Sequence, residues 1–287
     1  MKEALQRVNE RVVGRKNEIL MIASALEAGK HIFLEGPPGT SKSTILKAIA
    51  ESTGRAYCLV TGNSDLTTSK LIGYFDPAET LAQGYKAEFF QPGPLLQAMQ
   101  QGAYLYIEEF NRLPDETTNV FITVMSEKKL TVPRLGTVEA HPAFRIIAAL
   151  NPLDDIGISR ISRALKDRFS SIRLDYHPRD EEIAIVTRRC GNGDADTVCL
   201  AVDIARETRR HHDLKLGSSI RGAIDMVEIH ARAALALGND DPGGEGLLHA
   251  AAMMAFRNKV WLYETSDRTA EQVLAEILEK LQRQKKN

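Results

Sequence analysis

The sequence predicts an α/β sandwich built on a mainly parallel sheet, followed by a second domain made only of helices, and three observations carry that reading. Between Val12 and about Tyr176, apolar segments of strand length alternate with amphipathic segments of helical period. That alternation is the mark of strand–helix–strand units, whose crossovers keep neighbouring strands parallel. Beyond His177-Pro178-Arg179 no further β-rich run follows, and long segments rich in Ala, Leu, Arg and Glu take over. Finally, the octet Gly36-Pro37-Pro38-Gly39-Thr40-Ser41-Lys42-Ser43 lies between an apolar strand and an amphipathic helix, where an α/β sheet places a phosphate cradle. The two domains are expected at 1–178 and 179–287.

In chain order, the first strand is His31–Leu34, and the helix after the octet starts at Ser43 and carries an apolar stripe through Ala50. Further strands are expected at Ala56–Thr61, Ala103–Ile107, Phe144–Ala149 and Ile172–Asp175. Two hairpins interrupt the alternation. One joins Gly73–Asp76 to Tyr85–Phe90, and the other joins Leu130–Pro133 to Thr137–Glu139. The helical domain reads as Asp180–Arg189, Asp194–His212, Ser218–Leu237, Gly246–Tyr263 and Ala270–Lys286, with a loop by composition over Gly238–Gly244.

Composition narrows the function. The 287 residues include 37 Lys and Arg against 38 Asp and Glu, a net charge of −1, so the bulk basicity of a nonspecific nucleic-acid binder is missing. No apolar run approaches the ~20 residues of a membrane span, and the charged start Met1-Lys2-Glu3 resembles no leader, so a cytoplasmic protein is expected. The three cysteines, Cys58, Cys190 and Cys199, are too scattered for a disulfide framework, and their spacing to His211-His212 matches no zinc template.

The octet carries the chemistry of a P-loop: glycines let backbone N–H groups curl round phosphates, Lys42 reaches the outer oxygens, and the Ser43 hydroxyl ligates Mg²⁺. Its sixth position is Ser41 where glycine is usual, and serine suits that place only if its backbone stays in ordinary space. A nucleotide hydrolase also needs acids at the end of a neighbouring strand, and Tyr104-Leu105-Tyr106-Ile107-Glu108-Glu109 supplies them. Glu108 takes the metal-facing position, normally an aspartate, and Glu109 the water-activating one.

With both elements in place, the chain resembles the AAA+ ATPases, and among them the MoxR branch. Phe90-Gln91-Pro92-Gly93-Pro94-Leu95 and Glu108-Glu109-Phe110-Asn111-Arg112 are similar to phrases of that branch, in the same order. The resemblance implies a P-loop NTPase fold: a three-layer αβα sandwich with a parallel sheet, then an all-α lid domain. It implies ATP/ADP and Mg²⁺ as cofactors, with nucleotide contacts from Gly36, Pro37, Pro38, Gly39, Thr40, Ser41, Lys42, Ser43 and Thr44, and metal contacts from Ser43 and Glu108. Val12-Val13-Gly14-Arg15 looks like the adenine-pocket segment, which assigns Val12 and Val13 to the base. Ala149-Leu150-Asn151-Pro152 resembles sensor 1, with Asn151 orienting water beside Glu109. Asp167-Arg168-Phe169 resembles the arginine-finger segment, so Arg168 would act on the neighbouring subunit, with Arg160 and Arg163 as rivals. Gly217-Ser218-Ser219-Ile220-Arg221 is similar to sensor 2, with Arg221 as the functional arginine.

The first hairpin corresponds to the family's insert in helix 2, and its Phe75, Tyr85, Phe89 and Phe90 would either grip a partner or pack on the core, with packing favoured for the last two. The resemblance further implies a homo-hexameric ring, a partner with a von Willebrand factor A domain, and a client enzyme that is remodelled or matured, including metalloenzymes. Gas-vesicle assembly and magnesium-chelatase ATPases share the same motifs and stand as alternatives. A nucleotide-binding switch with little hydrolysis is a further one, because Ser41 and Glu108 both depart from the usual pocket; a nucleic-acid motor is disfavoured by charge.

Overall fold

The computed structural model describes residues 2–152, 161–191, 193–237 and 245–286. The chain divides into two compact units, Met1–Asp175 and Tyr176–Asn287.

In the first unit, α1 (Lys2–Arg11) and α2 (Lys16–Glu27) precede β1 (His31–Glu35), α3 (Lys42–Ser52) and β2 (Tyr57–Thr61). The insert follows as α4 (Thr68–Ile72), β3 (Gly73–Phe75), α5 (Pro77–Gln83) and β4 (Phe90–Pro92), leading into α6 (Pro94–Gln101) and β5 (Tyr104–Glu108). Next come α7 (Asp115–Glu127), the hairpin β6 (Lys129–Val132) and β7 (Gly136–Glu139), then β8 (Arg145–Leu150), α8 (Arg163–Lys166) and β9 (Phe169–Arg173). Five strands form one sheet in the order β2-β5-β8-β1-β9, with all neighbours parallel. Because every strand runs the same way, the ends of β1, β5 and β8 share one edge, the edge at which open α/β sheets bind ligands.

Two apolar layers cover the sheet. On one face Ile45, Leu46 and Ile49 of α3 pack with Val8, Ile19, Tyr106 and Ile147; on the other, Leu96, Met99, Phe110 and Phe121 pack with Phe33, Leu105 and Ile146. The central strands are buried on both faces, which explains their nearly continuous apolar sequences.

Several expectations need correction. The fifth strand is Phe169–Arg173, not Ile172–Asp175. It is an edge strand with no fully buried residue, so the exposed Ser170 and Ser171 sit in it without an apolar signal. The first hairpin pairs β3 with β4 only: most of the expected second arm is loop and a 3₁₀ turn over Ala87–Phe89, and α5 fills the interval between the arms, because Asp76 caps it by accepting from the N–H groups of Ala78 and Glu79 and Pro77 opens it.

The second unit holds α9 (Arg179–Cys190), α10 (Ala195–Thr208), β10 (Leu214–Leu216), α11 (Ile220–Leu237), α12 (Glu245–Phe256), β11 (Trp261–Leu262) and α13 (Ala270–Lys286). It is mainly helical but not wholly so: β10 pairs antiparallel with β11, and α12 ends at Phe256 where a helix to Tyr263 was expected. The loop read over Gly238–Gly244 lies outside the described residues. Its core contains a charged cluster, in which Glu182, 1% exposed, accepts from Arg206 at 3.0 Å and from Arg209 at 2.7 Å.

Candidate functional site

The site starts where β1 ends. Gly36 is buried against the chain after β9, and a Cβ there would sit 2.2 Å from the Leu174 carbonyl oxygen, so close backbone approach requires glycine at this point. Gly39 and Ser41 both have positive φ, +76° and +66°. Serine therefore occupies the left-handed region after all, contrary to the expectation of ordinary backbone space, and that conformation costs an L-residue about 1–2 kcal/mol. The strained turn delivers the chain into α3, whose amino end carries the positive pole of an 11-residue helix. Thr40 is buried and its hydroxyl donates to the Pro37 carbonyl at 2.9 Å. The Lys42 ammonium folds over the loop, donating to the carbonyls of Gly36 and Pro37 at 2.8 Å each. An anion entering here meets a helix terminus and a lysine together.

The acidic strand lies two strands away, across β8. The Ser43 hydroxyl donates to Glu108 Oε1 in a short hydrogen bond, so the extra methylene of glutamate does not separate the two groups. Two adjacent oxygen donors suit a hard divalent cation such as Mg²⁺, and they fit the metal that the motif implies. Glu109 follows with φ +52° and opens a 3₁₀ turn over Phe110–Arg112. Its carboxylate is half-exposed and pairs with Arg112 at 3.2 Å. Asn151 stands directly after β8, between the acid strand and the P-loop strand, and the Leu150 carbonyl before it accepts from the Gly36 N–H at 3.2 Å. Thus one sheet edge brings together the loop 36–41, Lys42, Ser43, Glu108, Glu109 and Asn151.

The other assigned residues lie elsewhere. Val12 is buried in the α3-side core, Val13 is half-buried and Thr44 is exposed. Arg168 immediately precedes β9, whose first residue pairs with His31 at the start of β1. It therefore stands at the opposite edge from the loop, roughly 16 Å away along five strand residues. There its Nε donates to Ser126 Oγ at 2.7 Å and its Nη1 to the Ala164 carbonyl at 2.5 Å. Arg163 is exposed at the start of α8, and Arg160 lies outside the described residues. Arg221 is exposed in the first turn of α11, in the second unit. Of the insert aromatics, Phe90 is buried and packs edge-on against Phe75, Phe89 is half-buried under Lys86, and Tyr85 is exposed beneath Arg134.

Known proteins resemble this chain. Residues 31–169 match the AAA domain of the dynein-related subfamily. A Staphylococcus saprophyticus protein of uncharacterized function is 30% identical over 212 residues, 72% of this chain and 80% of that protein. The chain belongs to the AAA+ family. The gas vesicle ATPase GvpN of Ancylobacter aquaticus is 28% identical over 233 residues, 76% of this AAA+ chain and 65% of GvpN, so the chain spans just under two thirds of that relative's length. Among solved structures, a candidate ATPase from Cytophaga hutchinsonii superposes with a TM-score of 0.54 at 20% identity, covering 97% of this chain and 93% of the other; at that identity the likeness speaks for the fold.

Two residues of this AAA+ site escape sequence reasoning. Gly62, just after β2, donates its N–H to the Glu108 carbonyl at 2.7 Å, and a Cβ there would lie 2.5 Å from the Glu109 carbonyl oxygen. A Thr-Gly pair at a strand end was the available signal. Tyr106, inside the acidic strand, carries a buried hydroxyl on the α3 side of the sheet.

Proposed function

We propose that this AAA+ protein is a MoxR-type ATP hydrolase working as a homo-oligomeric ring of six copies. The Ser43–Glu108 pair beside the Lys42 loop carries the reading, because it joins an anion cradle to an oxygen donor set at the sheet edge that also bears Glu109 and Asn151. Ser43 and Glu108 would hold Mg²⁺, which when bound supplies neutralisation of phosphate charge. Lys42 leaves its loop carbonyls for phosphate oxygens, Glu109 leaves Arg112 and takes a proton from the attacking water, and Asn151 orients that water. Arg168 acts on the neighbouring copy's site, since its own loop is at the far edge of the sheet, and Arg221 contributes from the lid. A finger of this kind is worth about 10³–10⁵ in rate in other phosphoryl-transfer enzymes.

The ring is proposed to act on a protein partner in the cytoplasm, with a von Willebrand factor A protein and a client enzyme as the MoxR-type pair. A second reading, gas-vesicle assembly, is favoured by the GvpN relatives. Phosphate release by the purified chain decides the enzyme claim: activity in the wild type with loss in both Lys42→Ala and Glu109→Gln supports it, whereas a wild type no faster than those variants refutes it. Co-purification with Glu109→Gln chains under ATP separates the partner readings, because capture of a von Willebrand factor A protein and capture of a vesicle protein exclude each other as the main product.

A further inference from the structure

Tyr106 stands two residues before Glu108 on β5, so both side chains project from the same face of the sheet, the face covered by α3. Its ring is fully buried and lies 6.0 Å from that of Tyr57. The hydroxyl is buried too, and it makes no hydrogen bond among the described residues. Leaving such a group unsatisfied costs about 1–3 kcal/mol, a cost that phenylalanine of nearly the same shape would not carry. A strand core offers no reason for a phenol there. Two residues further along the same face lies the carboxylate of Glu108, held by the Ser43 hydroxyl at the start of α3. Glu108 meanwhile has one carboxylate oxygen engaged by Ser43, the residue whose oxygen a cation would claim.

We propose that Tyr106 is a positioning residue for Glu108, its buried hydroxyl serving as the donor that steadies the Glu108 carboxylate when a divalent cation joins Ser43. The inference rests on the nucleotide reading above. It also accounts for the departure from aspartate: a longer, freer carboxylate gains from a second donor, and a tyrosine two residues earlier on the same face is placed to give one. Outer partners of this kind tune metal affinity by about 10–100-fold when removed from other sites.

The test uses Tyr106→Phe in the full chain, with Mn²⁺ as the metal probe, followed by electron paramagnetic resonance, and ADP as the nucleotide. Mn²⁺ binding to the ADP complex should weaken about tenfold or more. ADP binding in excess chelator should match the wild type, and the melting temperature without ligands should be equal or higher. In a Glu108→Gln background the same change should leave Mn²⁺ affinity unaltered. Unchanged Mn²⁺ affinity in the single variant overturns the proposal, and so does an equal loss in the Glu108→Gln background. A lowered melting temperature assigns the hydroxyl a merely structural role and overturns it as well. If the wild type binds neither ADP nor Mn²⁺–ADP, the nucleotide reading fails and takes this inference with it; if the wild type binds both and the variant does not differ, only the Tyr106 role is lost.

Discussion

Single residues hold strain at the site and suppress charge at the far edge of the sheet, and each has a measurable sign. Ser41 holds the left-handed conformation at a cost of about 1–2 kcal/mol, whereas glycine would add unfolded-state freedom of about 0.4–1 kcal/mol. The first term is larger, so Ser41→Gly should stabilise the chain by up to about 1 kcal/mol in urea unfolding, and a loss of stability would refute the strain argument. His31 is the opposite case, a charge suppressed. Burial chiefly, with Arg145 and Lys128 adding, lowers its pKa from 6.5 to about 4, and its Nδ1 accepts from the Ile146 N–H at 2.9 Å. The folded state thus binds fewer protons than the unfolded one between pH 6.5 and 4, so stability rises with pH across that window and is lost on acidification. The full loss is about 3 kcal/mol at 1.36 kcal/mol per pKa unit. A His31→Gln chain should show a flatter stability profile from pH 7 to 4; an unchanged profile would place the titration elsewhere. The sequence displayed Lys42, Ser43 and the two glutamates openly, because phosphate and metal chemistry demands those residue types at fixed spacing. It could not display the φ of Ser41, which the turn imposes.

At the scale of elements, packing decides which strand ends meet, and Gly62 is the close junction between β2 and the acidic strand. A methyl at that position would press on the carbonyls of Glu108 and Glu109 and displace both carboxylates, and displacement of about 1 Å can cost 10²-fold in rate. Gly62→Ala should therefore lose phosphate release by tenfold or more while retaining ADP binding, since the loop 36–41 and Lys42 are untouched; undiminished turnover would contradict it. In the second unit, Glu182 is buried between Arg206 and Arg209, so Glu182→Ala leaves two half-buried cations without their carboxylate and should destabilise by about 3 kcal/mol in denaturant unfolding. The three central strands, β1, β5 and β8, were legible because burial on both faces writes a continuous apolar run. β9 was misplaced because an edge strand needs no such run, and β10 and β11 were missed because elements of three and two residues leave no periodicity to read. Helix α5 was hidden by the expectation of a simple hairpin, although Asp76-Pro77 is a helix-start signal.

For the whole molecule, the parallel sheet sets a division of labour. The phosphate loop, the acids and Asn151 occupy the carboxyl edge, and Arg168 occupies the amino edge, where it cannot reach its own loop. On the proposed reading, a second copy completes the pocket. Arg168→Ala should therefore keep nucleotide affinity and lose turnover by about 10³-fold or more. Mixing Arg168→Ala chains with Glu109→Gln chains tests the central claim most directly, because each variant alone lacks one half of every site. Phosphate release should partly recover in the mixture, as intact Arg168 from one chain meets intact Glu109 in another; activity no higher than that of the separate variants at every mixing ratio would contradict a shared site.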